Sequence, residues 1–251
     1  MSDARLAYGL HAVRAALEVP GRVEALWLLA GRDDERLATV MELAARQGLP
    51  VRRLSRQELD ALAGTSRHQG VVARLAPATV SGEHALEALV ASLPGPALLL
   101  VLDGVQDPHN LGACLRTANA AGAHAVIAPR DRAAGLTPAV RKVAAGAAEA
   151  TPFFQVTNLA RTLRFLKDAG IWLVGTAGEA ETSLYAVDLT VPVALVMGAE
   201  GEGMRRLTRE HCDYLVHLPM AGTVESLNVA VAAGICLYEA VRQRQAAARR
   251  G

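Results

Sequence analysis

Residues 194–204 read Ala194-Leu195-Val196-Met197-Gly198-Ala199-Glu200-Gly201-Glu202-Gly203-Met204, an apolar run that breaks straight into a glycine-rich turn. A short strand with no polar alternation has no solvent face, which marks a strand covered on both sides in a parallel sheet. Leu98-Leu99-Leu100-Val101-Leu102 repeats the pattern. Working outward, strands are expected at 97–102, 124–127, 153–156, 171–176, 193–197 and 215–218. Helices are expected between them at 111–121, 138–148, 159–168, 204–210 and 227–243. This alternation defines an α/β domain built on a parallel sheet.

Residues 80–96 hold no Lys or Arg and end in Pro94-Gly95-Pro96, so they read as a boundary with a short helix near 83–91 inside it. The expected division is a small α/β domain over 1–78, a linker over 79–96 and the parallel-sheet domain over 97–251. In the first domain, helices are expected at 10–17, 33–46 and 56–62. Strands are expected there at 23–29, 51–54 and 70–75.

Apolar residues make up 51% of the chain, enough for a real core, and the formal net charge is +1. Residues 1–80 carry 11 Lys and Arg against 9 Asp and Glu, so bulk charge does not point to a nucleic-acid partner. Three cysteines, Cys114, Cys212 and Cys236, form neither a metal-ligand spacing nor a disulfide framework. His11, His68, His109 and His124 match no ligand pattern either, and no metal is expected. The N-terminus lacks a secretory signal and no apolar run is long enough to span a bilayer, so the expected location is cytoplasmic.

Three stretches carry polar residues that a simple core does not require. In Asn110-Leu111-Gly112-Ala113-Cys114-Leu115-Arg116-Thr117-Ala118, Asn110 stands where a helix cap is expected. Leu111, Cys114, Leu115 and Ala118 share one face of that helix, and Arg116 projects from the other beside Gly112. Taken alone, this also reads as an ordinary capped amphipathic helix. The second stretch is the 195–204 turn. The third, Leu218-Pro219-Met220-Ala221-Gly222-Thr223-Val224-Glu225-Ser226-Leu227-Asn228-Val229, leads into the last helix, with Ser226 as a possible cap. In an open parallel sheet the carboxyl ends of the strands share one rim, where ligands bind. The glycines of the 198–203 turn run G-x-x-G-x-G, which is not the dinucleotide fingerprint, and no phosphate-loop lysine is present. Glu200 and Glu202 disfavour a pyrophosphate, so a neutral or cationic ligand fits better.

Together and in this order, the three stretches resemble the motifs of the SpoU/TrmH family of RNA ribose 2′-O-methyltransferases, over residues 97–251. The resemblance implies a SPOUT-type domain with a deep trefoil knot near its C-terminus. It also implies a homodimer and a bound S-adenosylmethionine, whose sulfonium suits the acidic rim. Tyr8-Gly9-Leu10-His11-Ala12-Val13 and Ser66-Arg67-His68-Gln69-Gly70-Val71-Val72-Ala73 resemble the L30e-like substrate domain of one subgroup. That subgroup methylates a guanosine ribose in the peptidyl-transferase P loop of 23S rRNA, making 23S rRNA the expected partner. Glu225 and Ala230 depart from the family pattern, where serine is expected at both positions.

Carried over by residue, the resemblance assigns Asn110, Arg116, Glu200, Ser226 and Asn228 to catalysis. Gly198, Leu218, Leu227, Thr176 and Met220 are assigned to the cofactor. The family proposal makes Arg116 the base. A guanidinium has donors and no acceptor, so a role in binding phosphate and stabilising charge on the 2′-oxygen carries equal weight. The alternatives are a ribose methyltransferase acting on tRNA or another rRNA site, and a non-catalytic ribosome-assembly protein. A doubly wound oxidoreductase or hydrolase is disfavoured by the missing phosphate fingerprint and nucleophile elbow.

Overall fold

The computed structural model describes residues 6–18, 22–32, 34–76 and 82–249. The chain divides into two compact units, one comprising Met1–Thr79 with Ala145–Ala150, the other Val80–Ala144 with Thr151–Gly251.

In the first unit, β1 (Leu6–Tyr8), α1 (Leu10–Leu17), β2 (Val23–Leu29), α2 (Glu35–Arg46), β3 (Val51–Leu54), α3 (Arg56–Ala63) and β4 (Val71–Leu75) follow one another. The sheet order is β1-β4-β2-β3, antiparallel except for the β2–β3 pair. Val13, Leu17, Leu37 and Val40 from α1 and α2 bury Leu26, Leu28, Val71 and Ala73 on one face. Leu59 and Ala63 of α3 cover Val72 on the other, since neighbouring strand residues point to opposite faces. The two N-terminal sequence stretches meet here, where the Leu10 amide donates to Gln69 Oε1 at 3.1 Å. His68 is buried, and its Nδ1 accepts from the Gly70 amide at 3.0 Å. The ring proton therefore sits on Nε2, 2.9 Å from Asp60 Oδ1. This histidine ties α3 to its following turn.

The second unit contains α4 (Glu83–Ser92), β5 (Leu98–Asp103), α5 (Pro108–Ala120), β6 (Ala125–Pro129) and α6 (Pro138–Ala144). After α7 (Ala147–Ala150), which groups with the first unit, come β7 (Phe153–Val156), α8 (Leu159–Asp168), β8 (Trp172–Thr176) and β9 (Thr182–Ser183). The chain ends with β10 (Val193–Gly198), α9 (Arg206–His211), β11 (Tyr214–His217) and α10 (Val229–Ala248). The seven strands lie in the order β7-β6-β5-β10-β8-β11-β9, and every pairing is parallel. All six residues of β5 are buried, as its unbroken apolar sequence requires. Strand order reverses between β5 and β10, the switch point where open α/β sheets form a crevice beyond their strand ends.

Several elements differ from the sequence reading. The expected helix over 138–148 is broken, because Ala145 and Gly146 both take positive φ (51° and 95°) and end α6. α5 begins at Pro108 with Asp107 as its cap, so Asn110 lies inside the first turn. The last helix starts at Val229 and is capped by Asn228, not Ser226. Within the expected linker, α4 packs Leu86 into the same core as Leu99, Val101, Ile127 and Val196. β1 and β9 are too short to show an alternation and were not anticipated. Among the described residues, no helix is long and apolar enough to cross a membrane.

Candidate active site

The carboxyl ends of β5, β10, β8 and β11 bring Asp103, Gly198, Thr176 and His217 to one rim. The loop after β10 is pinned there. A Cβ on Gly198 would lie 2.2 Å from the Gly203 carbonyl carbon, so only glycine permits the chain to fold back this closely. Ala199 and Gly203 exchange both backbone hydrogen bonds, at 3.0 and 2.9 Å. Gly201 and Gly203 take φ of 79° and 70°, a region that other L-residues disfavour.

Asp103 anchors the far end of this loop. Its carboxylate is fully buried and accepts from the Arg205 amide at 2.9 Å and from Arg205 Nε at 2.6 Å. A buried carboxylate is tolerated when its oxygens are met by donors in this way. The sequence reading missed this pair. The available signal was a lone aspartate closing a strand that is otherwise wholly apolar.

With its loop fixed, Glu200 reaches the start of α10. Asn228 joins three segments there. Its Oδ1 accepts from the Ala230 and Val231 amides at 3.0 and 3.4 Å, capping the helix. Its Nδ2 donates both protons, to Asn110 Oδ1 at 2.8 Å and to Glu200 Oε1 at 2.7 Å. The same Glu200 oxygen accepts from the Val229 amide at 3.1 Å, a favourable place for a carboxylate at a helix N-terminus. Asn228 is thereby saturated. The Asn110 amide nitrogen, as a donor, and Glu200 Oε2, as an acceptor, make no hydrogen bond among the described residues.

Arg116 stands on the same helix as Asn110, exposed and without a side-chain hydrogen bond or ion pair among the described residues. Gly112 does not keep space open for a ligand beside it. A Cβ there would meet the Val140 carbonyl oxygen at 2.8 Å, so the glycine admits the backbone of α6. Leu111, Cys114, Leu115 and Ala118 form the buried face of α5, as the spacing indicated. Burial, followed by the charge of Glu200, pushes the Cys114 thiol up to about 12 and leaves it protonated. Burial likewise raises Cys212 and Cys236 to about 12, so none of the three is a nucleophile at neutral pH.

Ser226 is exposed and joins no hydrogen bond in the Asn110–Glu200–Asn228 cluster. Leu218 and Met220 line an open cleft of about 610 Å³ together with Gly178, Gly222 and Glu225. Thr176 turns inward, with Oγ1 donating to the Val196 carbonyl at 3.4 Å, and Leu227 is half-buried just before the cap. Neither they nor Gly198 line that cleft. No group of His, Cys, Asp and Glu able to hold a metal occurs among the described residues.

The SpoU rRNA Methylase family model matches residues 97–238, and a model described as RNA 2′-O ribose methyltransferase substrate binding matches residues 6–81. The chain is 60% identical over 246 residues to the 23S rRNA (guanosine-2′-O-)-methyltransferase RlmB of Pseudomonas putida, covering 98% of this chain and 99% of that protein. The Escherichia coli protein of the same name is 57% identical over 238 residues, covering 94% and 98%. Among solved structures, the SpoU methyltransferase AviRb from Streptomyces viridochromogenes in complex with the cofactor AdoMet is similar, with a TM-score of 0.75 and 27% identity. That similarity covers 96% of this chain and 90% of AviRb. An AdoMet-bound rRNA methyltransferase from Sinorhizobium meliloti has a TM-score of 0.73 and 27% identity, covering 94% and 86%. The rim that joins Asn110, Glu200 and Asn228 thus lies within the matched methylase segment, and the chain belongs to the SpoU rRNA methylase family.

Proposed function

We propose that the protein transfers a methyl group from S-adenosylmethionine to the 2′-oxygen of a guanosine in the peptidyl-transferase P loop of 23S rRNA. The observation that carries this reading is the meeting of Asn110, Glu200 and Asn228, from three separate segments, at the rim of the parallel sheet. Full-length likeness to proteins named 23S rRNA (guanosine-2′-O-)-methyltransferase supports the substrate class.

The residues fit the cofactor. The cleft along 218–225 is lined largely by glycine and apolar side chains, with Glu225 as its acidic group and no Lys or Arg. That lining is compatible with a sulfonium. One buried polar atom of a lining residue, His217 Nδ1, has no hydrogen-bond partner among the described residues. Leu218 and Met220 would hold the group. The pinned 198–203 turn, Thr176 and Leu227 would shape the backbone around it. When bound, S-adenosylmethionine would supply an electrophilic methyl to a ribose 2′-hydroxyl, with S-adenosylhomocysteine as the leaving group as the S–C bond breaks and the hydroxyl proton released to water.

The chain's own contribution is placement and charge. Arg116 has free donors at an exposed position, so it binds an RNA phosphate and stabilises negative charge developing on the 2′-oxygen. Asn110 has an amide N–H₂ left to donate, and Glu200 an oxygen left to accept, for orienting the ribose. Asn228, fully engaged within the protein, holds those two groups in register. Ser226, on the exposed approach to α10, meets the nucleotide. Aligning nucleophile and methyl is worth a large share of such a barrier.

The same reading carries a homodimer. The first half of α10, residues 229–238, is apolar nearly all round, and Val231 and Tyr238 are 52% and 50% exposed on one stripe with half-buried Ile235. It also carries a trefoil knot. The strand order β5-β10-β8-β11 supports this, because the chain leaving β11 must return across the rim to reach α10 beside α5. Its work on 23S rRNA places the protein in the cytoplasm.

The test is transfer of labelled methyl to 23S rRNA, 16S rRNA and bulk tRNA from cells lacking the protein, with the product mapped. Label in a 2′-O-methylguanosine of the 23S P loop is expected, and label confined to tRNA would overturn the substrate. Arg116→Ala should lower transfer about 100-fold or more while cofactor binding persists. Undiminished transfer would remove Arg116 from the mechanism.

A further inference from the structure

We propose that His217 is a cofactor-binding residue, whose Nε2–H donates a hydrogen bond to an acceptor atom of S-adenosylmethionine in the 218–225 cleft. The inference rests on the cofactor occupying that cleft.

Three observations lead to it. His217 ends β11 in register with Ser183 of β9, so the sheet fixes its backbone at a position that lines the cleft. Nδ1 is buried and has no hydrogen-bond partner among the described residues. Nε2 makes no hydrogen bond among the described residues either and is not among the buried atoms, so of the two ring nitrogens it is the one open to a ligand. A neutral imidazole carries a single ring proton. Placing it on Nδ1 would strand an N–H in the interior, the rarer and costlier kind of orphan, whereas a stranded lone pair is better tolerated. The proton therefore belongs on Nε2.

The remaining wall makes this donor distinctive. Among the side chains lining the cleft, His217 holds the only N–H. Thr223 offers a hydroxyl and Glu225 a carboxylate, and the other lining residues are glycine, proline or apolar. A ligand with a carboxylate, purine nitrogens and ribose oxygens presents acceptors in excess of these donors. One side-chain N–H held on a strand end gives it a fixed contact at little ordering cost.

The experiment measures the Kd of S-adenosylhomocysteine by calorimetry with the full chain and with His217→Phe, His217→Asn and His217→Gln. Gln places its amide nitrogen near the position of Nε2, and Asn near that of Nδ1. Phe and Asn should raise Kd roughly two- to tenfold, the range of one hydrogen bond, and Gln should recover most of the loss. Adenosine as a second probe locates the acceptor. A loss equal to that of S-adenosylhomocysteine places it on the nucleoside, and a loss confined to S-adenosylhomocysteine places it on the amino-acid end. Either result upholds the proposal. An unchanged Kd in a folded Phe variant would overturn it, as would a Gln variant no better than Asn. Nitrogen-15 NMR of the free protein adds an independent check, since a proton found on Nδ1 would also overturn it. Failure of the unsubstituted protein to bind S-adenosylhomocysteine would instead refute the cofactor reading above.

Discussion

The two rims of the seven-stranded sheet are built from similar residue types and treat them in opposite ways. At the rim where the strands begin, polar side chains are consumed in closing the structure. Arg244, from the last turns of α10, donates to the carbonyls of Leu189, Pro96, Ala97 and Val191. Asp213 accepts from the Leu173 amide at 2.8 Å and pairs with Lys167 at 2.7 Å. The Leu98 amide donates to His124 Nδ1 at 3.0 Å. At the rim where the strands end, one anchor of this kind, Asp103 with Arg205, frees its neighbours from structural duty. Asn110 and Glu200 each keep an unused polar group, and Arg116 keeps its whole guanidinium. A functional rim is distinguished by hydrogen-bonding capacity left over once the fold has been satisfied.

Substitutions on the two rims should therefore separate stability from activity. Arg244→Ala removes a charged donor from four backbone carbonyls and should lower stability by about 2–4 kcal/mol. Methyl transfer per folded molecule should stay unchanged. Denaturant unfolding beside a rate assay checks both, and a loss of rate without a loss of stability would break the comparison. Gly198→Ala forces the pinned turn apart and should cost about 1–3 kcal/mol. It should also weaken cofactor binding, measured by calorimetry, because this anchor belongs to the functional rim. Asn228→Ala removes a helix cap worth about 1 kcal/mol. It also frees Asn110 and Glu200 from each other, so transfer should fall by more than about tenfold, beyond what the small change in Tm explains.

The smallest effect concerns pH. Burial holds the His124 imidazole below its usual range. The unfolded chain then binds the proton more readily than the folded one, so stability is retained above about pH 6.5 and declines as pH falls below it. His124→Asn, which can keep an acceptor for the Leu98 amide, should flatten the decline in Tm between about pH 7 and pH 5. An unchanged slope would assign the pH dependence to another group.

The parallel sheet was legible because strands such as Leu98–Asp103 and Val193–Gly198 carry an apolar pattern that only two-sided burial explains. Cap positions were less legible. Asp107, Asn110, Ser226 and Asn228 are all competent caps, and local chemistry cannot choose among them. The choice was made by long-range bonds, with Asn228 meeting partners 28 and 118 residues away. The neighbour of Gly112 was set at long range too, since the backbone that approaches it is that of α6. Asp103 and Arg205, 102 residues apart, form a pair that no local pattern announces. Asn110, Glu200 and Asn228 were singled out by resemblance, and the structure brings them together. It leaves Ser226 apart from that cluster.

The first amide of α10, that of Val229, is held by a carboxylate that precedes it by 29 residues. This amide gains its acceptor only once residues 199–205 have docked, although the rest of the first turn closes on Asn228, which ties the anchoring of the helix start to the order of assembly. Hydrogen exchange at Val229 becomes a clock for that docking: its protection should arise late in refolding and be lost early under mild denaturant, together with the Arg205 amide on Asp103. A chain with a misplaced loop would then lack both the anchored start of its last helix and the joined arrangement of Asn110, Glu200 and Asn228. Incompletely folded copies would be silent rather than indiscriminate.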